Sequence, residues 1–128
     1  MTINKSIDIE EEIRVALADY MTVYCRPLPE DFALPNILIT LVGGTERQTI
    51  DYFEVVLDSR ASTEAEAIDY LNEAKGILKE VAKNQTTEIR YVTENTSGSW
   101  GQDPVRPDLV MCSARISVIA HQQKVEVI

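Results

Sequence analysis

Histidine and cysteine are scarce in this sequence: His121 stands alone, and Cys25 and Cys112 are separated by most of the chain. Imidazole and thiolate metal centres need several such ligands at short spacing, so a zinc site is not expected. Long apolar runs are missing too. The strongest, Ile37 to Val42 and Val55 to Leu57, fall far short of the ~20 residues that span a bilayer. Acidic residues, and no apolar core, follow the opening Met1-Thr-Ile-Asn-Lys-Ser, so no secretory leader is expected. A reducing cytosol then leaves both thiols free and makes the sequons at Asn84 and Asn95 chance matches. Positive charge is in deficit, with 12 Lys and Arg against 21 Asp and Glu for a net charge of -9. That balance argues against a broad grip on nucleic acid, which needs clustered cations, and against docking on an anionic membrane.

Signatures of catalysis are equally thin. Cys25, His121 and Asp58 can be written down as a nucleophilic triad, but no local motif supports one. Gly43-Gly44 invites a phosphate-loop reading, yet a β-rich stretch follows where a helix and a lysine would be needed, so the pair reads as a hairpin turn. The acid run Asp8 to Glu12 lacks calcium-loop spacing and sits where a helix begins, which favours carboxylates by itself. The expectation is a protein with no catalytic, cofactor-binding or metal site, and not an enzyme.

What is present is a core. With 128 residues, 45% of them hydrophobic, the chain can fold as a single domain over 1–128 without metal or disulfide support. Asp8 and Glu11 have capping spacing, and Ile9, Ile13, Ala16, Leu17 and Tyr20 recur on one helical stripe. Met21 to Cys25 has strand composition. Arg26 to Pro35 carries three prolines and reads as a connecting arm. Asn36 to Val42 reads as a doubly covered strand, Gly43-Gly44 as its turn, and Thr49 to Arg60 as the returning strand. Thr63 and Glu66 cap a second helix with Ala67, Leu71, Ala74, Leu78 and Val81 aligned. Glu88 to Glu94 and Asp108 to Ala120 alternate as strands, around a polar insert at 95–107 and before a short polar tail. The fold class predicted is α+β, a mainly antiparallel sheet with two helices packed on one face, in the order α-β-β-β-α-β-β.

Two segments carry apolar side chains with little local core around them. The insert holds Trp100, the only tryptophan, followed by Asp-Pro-Val-Arg-Pro with Arg106. The arm holds Phe32 and Leu34. Such side chains either pack back onto their own domain, the arm against the sheet edge, or anchor a partner, and because aromatic and arginine side chains are enriched in protein interfaces these four are the candidate interface residues.

The arrangement resembles the tail terminator (tail-completion, minor tail or tail-to-head joining) proteins of long-tailed bacteriophages and prophages. The resemblance rests on the Ile9 to Tyr20 helix, the Pro27 to Pro35 arm leading into the Asn36 to Val42 strand, and Gly43-Gly44 before Phe53 to Leu57. It also includes the Thr63 helix with its Ala-Glu-Ala-Ile start, and the Asp-Pro-Val-Arg-Pro insert before Leu109 to Ala120. It implies a structural virion protein, located in the virion tail and in the host cytoplasm during assembly. Such a protein self-associates into a hexameric ring that caps the tail tube, ends its polymerisation and offers the docking surface for the head or neck connector proteins. DNA would pass through without specific binding, repelled by carboxylates in the lumen. A head-side joining protein of the same fold and, from a different class, a small-ligand binding module are the alternatives. A binding module would need convergent polar groups between helices and sheet, where the stripes are instead apolar and alanine-rich.

Overall fold

The computed structural model describes residues 1–104 and 106–128, the side chains of 96 and 97 excepted. Each helix starts where its cap places it. Asp8 accepts a hydrogen bond from the backbone N–H of Glu11 and opens α1, Ile9–Ala18. Thr63 does the same for Glu66 and opens α2, Glu64–Asn84. These side-chain oxygens satisfy amide groups that a helix start leaves without partners. Ile9, Ile13 and Leu17 of α1 and Ala67, Leu71, Ala74, Leu78 and Ala82 of α2 are buried. Two expected stripe residues leave the core. Tyr20 lies beyond the end of α1 and is exposed, and Val81 is only partly buried, its place taken by Ala82.

Seven strands accompany the helices among the described residues: β1 Thr2–Lys5, β2 Val23–Cys25, β3 Asn36–Glu46, β4 Ile50–Ala61, β5 Ile89–Gln102, β6 Val110–His121 and β7 Gln123–Glu126. Five form one sheet in the order β2-β3-β4-β6-β5, antiparallel except for the short β2–β3 pair. Alternation along β4 and β6 sends Phe53, Val55, Leu57, Cys112, Ala114, Ile116 and Val118 into one core cluster with the helix stripes. α1 packs on α2, β2 and β3, while α2 spans β3 to β6, so both helices cover one face. The fold is therefore α+β, with the order of elements predicted and two additions.

Those additions are β1 and β7. The ends of the chain, expected to be a lead-in and a polar tail, pair antiparallel as a separate two-stranded ribbon, Thr2 opposite Glu126 and Lys5 opposite Gln123. All four β1 residues are exposed, so no apolar stripe marked the ribbon.

Two loop assignments also change. Gly43-Gly44 does not end β3. The strand continues through both glycines to Glu46, with a register shift between Leu41 and Gly43, and the turn lies at 47–49. Gly44 has φ +154, and a Cβ there would meet the Tyr52 carbonyl oxygen at 2.3 Å. The glycine is thus required by close strand approach at a bulge. The polar insert is mostly strand: β5 runs through Trp100 to Gln102, irregularly paired with β6. Only 103–109 remains as a link, and position 105 lies outside the described residues. Gly98 explains part of this polar, turn-like strand, since a Cβ there would sit 2.7 Å from the Cys112 sulfur.

Candidate functional site

Two surfaces stand at opposite ends of the sheet. At the first, the 26–35 arm and the 103–109 link fold over the face that the helices leave open. Tyr24 Oη accepts from the Ala33 amide at 3.0 Å, and Asn36 Nδ2 donates to the Ala33 carbonyl at 2.8 Å, which fastens the arm to the start of β3. Beneath them lies Arg60, on the opposite face of β4 from Leu57 and Ala61. Its Nε donates to Asp103 Oδ2 at 2.6 Å, and the two side chains are only 8% and 3% exposed. Asp103 Oδ1 accepts from the Arg106 amide, and Arg106 closes a two-point ion pair with Asp108.

A pocket of about 440 Å³ opens between arm and link, with Leu28, Pro29, Phe32 and Pro104 as its apolar wall. Glu30, Arg60, Asp103 and Arg106 complete it. Arg60 Nη1 is buried there without a hydrogen-bond partner among the described residues. Of the four candidate interface residues, the structure brings Phe32 of the arm and Arg106 of the link to one pocket. Leu34 is exposed on the same arm but does not line the pocket. Trp100 lies apart from the pocket. It sits in β5 opposite Cys112, on the helix-bearing face, and is half exposed. Alternation sends it to the other side of the sheet from Arg60. Arg60 and Asp103 were missed; a charged residue closing the alternation of β4 and an Asp-Pro after β5 were the available signals.

At the second end, β3 and β4 run out into a hairpin whose flanks expose Leu41, Val42 and Tyr52. The Arg47 guanidinium lies 5.0 Å from the Tyr52 ring centre. The ribbon braces this hairpin: Asn4 Nδ2 donates to the Gln48 carbonyl, and Gln122 Nε2 donates to the Arg47 carbonyl and to Asp51 Oδ1. Ten residues separate Asn36 from Glu46 along β3, which at ~3.3 Å per residue sets the two surfaces about 33 Å apart.

Between them the open face carries a polar cluster. Glu54 accepts from Ser117 at 2.6 Å, Asn95 at 2.7 Å and Arg115 at 3.3 Å. The Ser117 hydroxyl holds the Glu54 carboxyl below its ordinary value against an opposing push from burial, with Arg115 and Asn95 adding to the lowering. A carboxylate depressed on folding adds stability above its unfolded value and loses it as pH falls through the folded one. Glu54→Gln is therefore expected to narrow the gap between urea midpoints measured at pH 7 and near pH 3.5. An unchanged gap would show that the cluster contributes nothing to acid sensitivity.

The paper triad does not assemble. Asp58 pairs in register with Ser113, eight residues before His121 on β6, which is about 27 Å at ~3.4 Å per residue. Cys25 lies opposite Ile39, which itself faces core Leu57 across β3 and β4, and its thiol is pushed up by burial and then by the Glu10 and Glu11 charges. Burial raises Cys112 as well. Both cysteines are free thiols. Among the described residues, no group of three or more His, Cys, Asp or Glu side chains is placed to hold a metal ion, and no helix is long and apolar enough to cross a membrane.

No family model matches the chain, and no curated protein matches it.

Proposed function

We propose that the chain is a structural virion protein of the tail terminator type, a subunit of a hexameric ring that caps a tail tube, stops its growth and presents a docking face to head or neck proteins. The observation that carries this reading is the pair of unlike surfaces, arm pocket and hairpin, at opposite ends of one rigid sheet. A closed ring is built from heterologous contacts, in which one patch of a subunit meets a different patch of the next. A subunit with two unlike ends suits that arrangement, whereas a two-fold dimer would need one self-complementary patch.

The net charge of -9 fits the same role, since carboxylates around a lumen would let DNA slide by repelling its phosphates. Exposed acids line the solvent side of α2 at Glu64, Glu66, Asp69, Glu73 and Glu80, while in the first turn of α1 only Glu11 is exposed, so the lumen reading requires α2 to face the channel. A head-side joining role uses the same ring. The pocket favours a second reading, a small-ligand module, because its volume falls within the ~300–1,000 Å³ of ordinary ligand sites.

Negative-stain imaging of tails assembled with and without the protein tests the proposal. Overlong or uncapped tubes in its absence support termination, and normal tails that lack heads support joining. Normal, head-bearing tails in its absence overturn both.

A further inference from the structure

We propose that the stretch Gly98–Gln102 of β5 is a strap that lifts from β6 as a unit while the rest of the sheet stays closed, baring the Cys112 thiol and the β6 edge beneath it. The device goes beyond the ring reading and does not depend on it. β5 is an edge strand, paired with β6 alone, and its two halves are held differently. The first half buries Ile89 and Val92, pairs Glu94 with Lys75 at 2.5 Å, and ends on Asn95, whose side chain donates to Glu54 and Ser117. In the second half, no residue from Gly98 to Gln102 is buried. Segments that bury little and bond at a solvent-facing edge open at a lower free energy than the core does.

The boundaries of the strap are marked on both sides. Register shifts at Glu94/Thr96 and Thr96/Ser99 interrupt the ladder just before it, so the strap can leave β6 without pulling the first half away. After it, Asp103 is buried and held by Arg60 at 2.6 Å. Fixed at Asn95 and at Asp103, the segment between is a bridge and not a fraying end. Beneath it lies Cys112, fully buried although it stands only one strand from the sheet edge. The cover is the strap itself: a Cβ at Gly98 would stand 2.7 Å from the Cys112 sulfur, 3.6 Å from Ile68 and 3.7 Å from Leu71, and Trp100 is the register partner of Cys112. Lifting the strap therefore uncovers one thiol and little apolar surface. It also leaves the backbone of β6 from Val110 to Ser113, which pairs with Ser99 to Gln102, without a strand on its outer side.

The test reads the thiol and the amides. In a Cys25→Ser background Cys112 is the only cysteine. Its thiolate attacks dithiobis(nitrobenzoate), forming a mixed disulfide and releasing one thionitrobenzoate, so the reaction is followed by absorbance in urea kept below the unfolding transition. Opening of the strap exposes little surface, so the rate is expected to rise only weakly with urea, whereas reaction through global unfolding rises with the full m-value. Gly98→Ala crowds the closed strap against the Cys112 sulfur and leaves the lifted one unstrained. It is expected to speed the reaction about tenfold at an unchanged urea slope. Hydrogen exchange of the wild-type chain needs no variant: bonded amides in 98–102 are expected to exchange at least about tenfold faster than those in 89–94. A Cys112 rate as steep in urea as global unfolding, a Gly98→Ala protein that reacts no faster than its parent, or equal exchange in the two halves of β5 would each overturn the strap.

Discussion

Asp103→Ala is expected to lower folding stability by about 3–5 kcal/mol, because it strips the partner from a guanidinium that cannot reach water. Arg60 and Asp103 are 8% and 3% exposed, and the bond between them is 2.6 Å long. The buried pair itself adds little net stability, since desolvation of two charges offsets most of their attraction. The asymmetry lies in breaking one side only. A shape-conserving double replacement, Arg60→Met with Asp103→Leu, should therefore recover most of the loss. Urea unfolding of the wild type, the single and the double variant measures both quantities, and a single-variant loss below about 1 kcal/mol would show that water already reaches Arg60. The same substitution also frees the link, because Asp103 accepts the Arg106 amide.

Leu57→Ala should cost about 2–5 kcal/mol by a different route, the loss of buried surface and the cavity left behind. Leu57 is fully buried at the middle of β4, opposite Ile39 on one side and Ala114 on the other, beneath the helices. Strand and helix backbones on all sides limit collapse into the space. Its neighbour Val56 points to the open face and is only partly buried, so Val56→Ala should lose less than about 1 kcal/mol. Equal losses at the two positions, read from urea midpoints at constant m-value, would contradict the one-sided cover that the helices provide.

Much of this fold was legible because local physics and tertiary packing agree. Asp8 and Thr63 cap the helices whose stripes follow them, and the alternation of Phe53, Val55 and Leu57 and of Cys112, Ala114 and Ile116 is the core. Reading failed where residues serve partners remote in sequence. Gly43 and Gly44 look like a turn by composition, yet Gly44 is there for the approach of the Tyr52 carbonyl. Asn95 to Gln102 looks like a loop because an edge strand beside a helix needs a glycine over Cys112 and little apolar surface of its own. The terminal ribbon is exposed on almost every residue, so hydrophobic periodicity could not mark it. For the site, the arm and the link each announced themselves through proline. Their meeting over Arg60 depends on strand order, which no local pattern encodes.

The line joining the two surfaces also has a mechanical meaning. It runs along β3 and β4, whose ladder spans ten paired positions, and parallel to the twelve-position β4–β6 ladder. Cross-strand hydrogen bonds lie perpendicular to the strands, so tension between the arm pocket and the turn would load these bonds together, in shear. A pull on the paired chain ends is a different case: Met1 donates to and accepts from Val127, and the four-position ribbon would open one bond at a time, like a zip. The molecule is stiff along the line from arm pocket to turn and soft where its two ends pair.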